Sequence, residues 1–121
     1  MSIKVTGVDH IMITVGDINE AKDFYDKVLK LDELTIPPEI TGPRAWYSLG
    51  SSVLHVNQHE SHKAGFQHFG ITVESGKYES YIDAIKNTGY KGIAENQLYD
   101  DGLYRIFVDD PFGNTIEISN A

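Results

Sequence analysis

The chain has 121 residues, with 18 acidic against 10 basic side chains, a formal charge of -8 and no cysteine. That length fits one domain, or two very small modules sharing a core, and a hydrophobic content of 40% can fill such a core unaided, so a bound metal would be functional rather than structural. The acidic balance argues against nucleic acid, which needs clustered Lys and Arg, and the missing cysteines exclude disulfide frameworks, thiolate metal sites and cysteine nucleophiles.

Residues 1–7 show no basic run followed by an apolar core, and no stretch approaches the roughly 20 apolar residues of a membrane span. The expectation is a cytoplasmic protein with no membrane partner. A strand is predicted over 8–15, then a helix over 18–30. Asp17 and Glu20 have capping-box spacing, and Ala21, Phe24, Tyr25, Val28 and Leu29 recur on one helical face. Strands follow at 33–36, 44–49 and 52–57, with prolines at 37, 38 and 43 marking a loop. After a polar connector over 59–65 comes a strand at 66–73 and a second helix with Tyr78, Tyr81, Ile82 and Ile85 on one face. Gly89 is placed as its left-handed stop. Strands are then predicted at 90–95, 103–109 and 114–119, separated by turns at Asp101-Gly102 and over 110–114.

The order strand, helix, strand, strand, strand therefore occurs twice. Residues 8–15 align with 66–73, placing His10 on His68, and Ile-Thr-Val ends both segments. The interval from His10 to His55 is 45 residues and that from His68 to Glu117 is 49, a difference expected of loops. The chain reads as a single α+β domain over 1–121 made of two repeats, 5–58 and 66–121.

Side chains alternate across a strand. Ile11, Ile13 and Val15 form one face of the first strand, leaving His10, Met12 and Thr14 on the other. By the same rule His68 and Thr72 oppose Phe69, Ile71 and Val73; His55 opposes Leu54 and Val56; Glu117 opposes Ile116 and Ile118. If two curved sheets bring these polar faces together, His10, His55, His68 and Glu117 converge inside a cup. Three imidazoles and one carboxylate suit a divalent transition metal (Zn, Ni, Fe or Mn) and suit calcium or magnesium poorly. Met12, Trp46 and Tyr104 are candidates to line the substrate pocket, with loops 37–43 and 95–102 as its walls. Trp46 and Tyr47 also read as strand packing. His59 and His62 lie in the connector and read as solvated, as does the cluster of Asp100, Asp101, Asp109 and Asp110. No turn has phosphate-loop spacing.

These residues carry a resemblance. The paired segments 8–15 and 68–73, Asp23-Phe24-Tyr25 with Leu29, and the closing segment from Asp110 through Pro111, Phe112, Gly113 and Asn114 to Glu117 and Ile118 resemble the vicinal oxygen chelate superfamily. That superfamily contains glyoxalase I, extradiol dioxygenases, fosfomycin-resistance proteins, methylmalonyl-CoA epimerase and bleomycin-binding proteins. The resemblance covers essentially the whole chain. It implies tandem βαβββ modules forming an incomplete eight-stranded barrel around a metal, a small-molecule substrate and a homodimer. It maps metal ligands onto His10, His68 and Glu117, with His55 at the remaining position, where glyoxalase I usually carries a glutamate. The activity implied is that of a glyoxalase-like lyase or isomerase, in which the metal chelates vicinal oxygens and stabilises an enediolate-type intermediate while Glu117, the catalytic carboxylate, moves the proton. Two alternatives stand beside it. One is an Fe(II)-dependent extradiol dioxygenase using His10, His68 and Glu117 alone, with His55 as a pocket or acid/base residue. The other is a drug- or metabolite-binding resistance protein without turnover.

Overall fold

Ile11, Ile13 and Val15 alternate with His10, Met12 and Thr14, and β1 (His10–Val15) turns the aliphatic set into the core. The structure is a computed structural model describing residues 3–65, 67–94, 97–98 and 104–120. After β1 come α1 (Ile18–Lys22) with its π-helical extension (Asp23–Val28), β2 (Glu33–Leu34), β3 (Arg44–Leu49), β4 (Ser52–Gln58), β5 (His68–Thr72), α2 (Tyr78–Asn87), β6 (Gln97–Leu98), β7 (Tyr104–Asp109) and β8 (Thr115–Ser119). No helix among the described residues is long and apolar enough to cross a membrane.

The strands form two four-stranded sheets, ordered β1-β4-β3-β2 and β5-β8-β7-β6. In each, the first strand pairs in parallel with the last strand of its module, and the other pairings are antiparallel. The register repeats as well. Met12 lies opposite His55 and Gly70 opposite Glu117, so His55 and Glu117 occupy equivalent places in the two modules.

The helix expected over 18–30 is present but changes kind partway. Asp17 caps it, its Oδ1 accepting from the Glu20 N–H at 2.9 Å. From Asp23 the turn widens, and the Leu29 N–H reaches the Phe24 carbonyl at 3.1 Å. Phe24 and Tyr25 are adjacent yet both buried, at 2% and 0% exposure. An α-helix separates neighbours by roughly 100°, and the wider π-turn lets both rings point inward. The segment closes with Lys30 in the left-handed region (φ 56) and the Leu31 N–H bonded to the Tyr25 carbonyl at 3.0 Å. In α2 the expected face is buried through Tyr78, Ile82 and Ile85, and Gly89 takes φ 79 as the stop.

Two strand expectations shrink. That at 33–36 reduces to β2, because Pro37 and Pro38 remove N–H donors and turn the chain out of the ladder. That at 90–95 becomes one bridge, Ile93 to Val108. There Gly92 approaches β7 so closely that a Cβ would stand 2.8 Å from the Asp109 carbonyl oxygen. Glu95, Leu103 and the turn at Asp101-Gly102 lie outside the described residues.

One apolar cluster joins the helix-side residues of both sheets to both helices. Phe24 packs on Tyr90 with ring centroids 5.0 Å apart, and the Tyr81 hydroxyl donates to the Leu29 carbonyl at 2.5 Å. The two modules thus share a single interior, and the opposite faces of both sheets point away from it.

Candidate functional site

On the first sheet the outward face carries a stack of three rings. Ala45 and Tyr47 are buried, which turns Arg44 and Trp46 to the other side of β3. The Trp46 indole lies over the His55 imidazole at 4.3 Å and 6°, and His55 lies over His10 at 4.4 Å and 14°. His10 Nδ1 is 2.8 Å from Asp9 Oδ2. Burial, with smaller contributions from the charges of His10 and Arg44 and a partial offset from Asp9, lowers the pKa of His55 below the usual imidazole value. His55 is therefore neutral at pH 7 and keeps a lone pair.

On the second sheet His68 Nε2 is 3.8 Å from Glu117 Oε1, and Arg105 Nε is 3.6 Å from Glu117 Oε2. Phe107 meets the edge of His68 at 6.0 Å. Gly70, across from Glu117, leaves the space over the carboxylate open; a Cβ there would make an ordinary contact, 3.5 Å from Oε2. Arg105 and Phe107 escaped the sequence reading, although burial of Ile106 and Val108 on the alternate positions fixes them on the Glu117 face.

The four ligand candidates thus fall into two pairs, His10 with His55 and His68 with Glu117. Among the described residues of one chain no group of three or more His, Asp or Glu is positioned to hold a metal. The cause is the shared interior: each sheet spends its apolar face on it, so the two polar faces look outward rather than at each other.

The pocket candidates divide. Met12 is 54% exposed on the His55 face, next to the ring stack. Tyr104 has the parity of Ile106 and Val108, so it lies on the helix side of β7, in a cleft with Val73, Tyr78 and Glu79, and not on the face of Glu117. The 37–43 loop presses on Arg44 through Gly42 (φ 102), where a Cβ would stand 3.3 Å from the guanidinium. Of the 95–102 loop only 97–98 are described.

Among the described residues, three polar atoms on the first face are buried without a hydrogen-bond partner: Arg44 Nε, Trp46 Nε1 and Asn57 Oδ1. An unmet buried polar atom costs about 1–3 kcal/mol, so their concentration on one face singles it out. Neither Arg44 nor Asn57 stood out in the sequence.

Two residues read as solvated are structural instead. His62 bridges the modules, with Nδ1 2.7 Å from the Thr14 hydroxyl and Nε2 2.8 Å from the Phe112 carbonyl. The carbonyl accepts only, so Nε2 carries the proton and Nδ1 accepts from Thr14. Asp110 is 4% exposed and accepts from the Tyr25 hydroxyl, the backbone N–H groups of Phe112 and Asn114, and the Asn114 side chain. A carboxylate with four donors nucleates a turn; it does not decorate one. His59 stays exposed and accepts from the Ser61 N–H.

Two βαβββ modules, each pairing its first strand in parallel with its last, define the class of fold. The family model of the Glyoxalase/Bleomycin resistance protein/Dioxygenase superfamily matches residues 7–118, and the chain belongs to that superfamily. Its fold is shared with a glyoxalase family protein from Bacillus anthracis (TM-score 0.85, 22% identity, 99% of this chain and 98% of that one). It is shared also with lactoylglutathione lyase from Agrobacterium tumefaciens (0.76, 16%, 97% and 95%) and with the fosfomycin resistance protein FosX from Listeria monocytogenes (0.77, 16%, 98% and 95%). A search of curated proteins finds no match.

Proposed function

We propose that the protein is a metal-dependent, glyoxalase-like lyase or isomerase acting on a small substrate with vicinal oxygens, and that its site is completed by a second copy of the chain. The observation that carries this is the register equivalence of His55 and Glu117 on outward faces, which leaves each chain with two half-sets of donors. Apposing the first sheet of one copy to the second sheet of the other assembles His10, His55, His68 and Glu117.

The donors fit a transition metal. Two ligands of one tetrahedral ion at about 2.1 Å lie roughly 3.4 Å apart, close to the 3.8 Å separating His68 Nε2 from Glu117 Oε1. His10 and His55, on the facing half-set, would supply the remaining donors. When bound, the metal supplies Lewis acidity toward the substrate oxygens. Glu117 takes the proton beside the carbonyl at a carboxylate oxygen and returns it to the neighbouring carbon. Arg105 limits the rotation of that carboxylate, and the ring stack keeps water from one wall of the site.

A specific observation favours a second reading. His55 is clamped face to face between Trp46 and His10, an arrangement in which parallel imidazoles aim their lone pairs side by side rather than at one point. A three-ligand set of His10, His68 and Glu117, with His55 as pocket residue, is that of an Fe(II) extradiol dioxygenase. Metal analysis of the purified protein and of His10→Ala decides the metal site: stoichiometric metal lost in the variant supports it, and no metal under any loading condition refutes it. Oxygen consumption that depends on Fe(II) separates the second reading from a redox-neutral isomerisation.

A further inference from the structure

A cavity of about 540 Å³ opens between the modules, many times the roughly 30 Å³ share of one water. Ile11, Leu31, Leu49, Ile71 and Val73 line it, each packed on the core yet only partly covered. Its far wall, residues 70–74, belongs to β5 and its exit; β5 pairs only with β8, so among the described residues no strand matches its other edge. Glu74, on the same wall, is exposed and forms no ion pair among the described residues. The segment leading into β1 is the complement of this cavity. Ile3 and Val5 alternate with Lys4 and Thr6, and Ile3, Val5 and Val8 are 83%, 91% and 59% exposed. Aliphatic groups exposed in one short stretch mark a contact surface. All of residues 3–9 are exposed in their own chain, although Val8 lines the cavity rim, where its carbonyl accepts from the Ser52 hydroxyl.

We propose that residues 3–8 of a second copy dock in this cavity as an added strand along the open edge of β5, and that two copies exchange the segment reciprocally. Alternation then sends Ile3 and Val5 into the apolar cavity and turns Lys4 to the rim, toward Glu74. Two opposite charges meet there in a chain whose net charge of -8 otherwise opposes self-association. Lys30, the other charge on the wall, gives its ammonium to the Lys27 carbonyl at 3.0 Å. Extended from Val8, residues 3–7 span about 17 Å, enough to run the length of residues 70–74. A twofold axis makes the exchange mutual, so each copy covers its apolar segment and fills its cavity in one step. The inference rests on the proposed function only for the second copy: apposing the first sheet of one copy to the second sheet of the other brings the segment before β1 to the sheet that carries β5.

The test uses the full chain without metal or substrate. Ile3, Lys4, Val5 and Glu74 are exposed in the single chain, so substituting them leaves the fold of one copy intact. Sedimentation equilibrium measures self-association. Ile3→Ser combined with Val5→Ser is expected to weaken it about tenfold or more. Lys4→Glu and Glu74→Lys should each weaken it about threefold, and the two together in one chain should restore it. Because the chain has no cysteine, a variant carrying Val5→Cys and Val73→Cys offers only those two thiols to a short bis-maleimide. The expected product has the mass of two chains, with peptide mapping joining position 5 to position 73. A protein that stays monomeric, self-association unchanged by the paired Ser substitutions, or a 5-to-73 link confined to one chain overturns the proposal. The sedimentation comparison stands even if Val73→Cys disturbs the fold. Dimers indifferent to the Ser substitutions would sink the docking and leave the shared site standing; dimers sensitive to them that never retain metal would sink the metal reading alone.

Discussion

The Tyr25 hydroxyl donates to Asp110 Oδ2 at 2.9 Å, joining the π-helical segment of the first module to the closing turn of the second across 85 positions of chain. Both residues are buried. This contact ties the turn that leads into β8, and with it Glu117, to the helix packed against β3 and β4.

Removing the hydroxyl leaves Asp110 with its other donors but loses a hydrogen bond to a carboxylate. Tyr25→Phe is expected to cost about 1.5 kcal/mol, or roughly 6 °C in Tm. Asp110→Ala should cost more, since it orphans the turn N–H groups as well. Thermal denaturation followed by circular dichroism measures both, and an unchanged Tm in Tyr25→Phe would show that the contact adds nothing.

A shared site makes a prediction that a site within one chain does not. His10→Ala and Glu117→Gln should each fold, the first without metal and the second without most of its turnover. Unfolded and refolded together in equal amounts, they form mixed dimers in which one of two sites has all its residues, recovering about a quarter of wild-type activity. No recovery above the separate variants would place the whole site in a single chain.

Alkaline pH should destabilise the fold before any loss of covalent integrity. Burial pushes the hydroxyls of Tyr81 and Tyr90 up to about 12, and raises Tyr25 and Tyr47 further in the same direction, with Asp110 adding to Tyr25 and Asp26 to Tyr47. A raised folded-state value means the native protein holds its protons while the unfolded chain releases them above pH 10. The contribution to stability is therefore complete below pH 10 and lost as pH rises toward 12. Denaturant midpoints across pH 8 to 12 should fall steeply above pH 10, and Tyr81→Phe should flatten that slope.

Lys30 is the one non-glycine residue at positive φ among those described. Its backbone occupies the position at a helix C-terminus where glycine relieves strain. Lys30→Gly is expected to stabilise by about 0.5–1 kcal/mol, seen as a higher urea midpoint with an unchanged slope. A lower midpoint would mean that the Lys30 side chain, which reaches the Lys27 carbonyl at 3.0 Å, outweighs the strain.

The repeat, the two helices and the facing of His10, His55, His68 and Glu117 were legible because period-2 alternation decides which way each side chain points once a strand is placed. The same rule applied to β7 would have separated Tyr104 from Arg105, but it needed the strand's apolar parity to be read from Ile106 and Val108. The π-helix was not legible: the periodicity of Phe24, Tyr25, Val28 and Leu29 fits an α-helix, and only the demand of two adjacent rings for one interior widens the turn. Nor could alternation say whether two outward faces meet. That depends on where the apolar faces are spent, and here both are spent on one common core. His62 and Asp110 were misread as solvated because their partners, Thr14 and Phe112 for one and Tyr25 for the other, come from distant segments or from the backbone.

Across from Glu117 the chain places a glycine, and across from His55 a methionine. The two modules repeat the same backbone, yet they give their central side chains unequal freedom. The imidazole, with a ring on each face and Met12 at its side, cannot turn without moving its neighbours. The carboxylate has a glycine across from it and stands between His68 and Arg105. One half of the fold encloses its central side chain between rings, and the other sets its central side chain across from a position that carries no side chain at all.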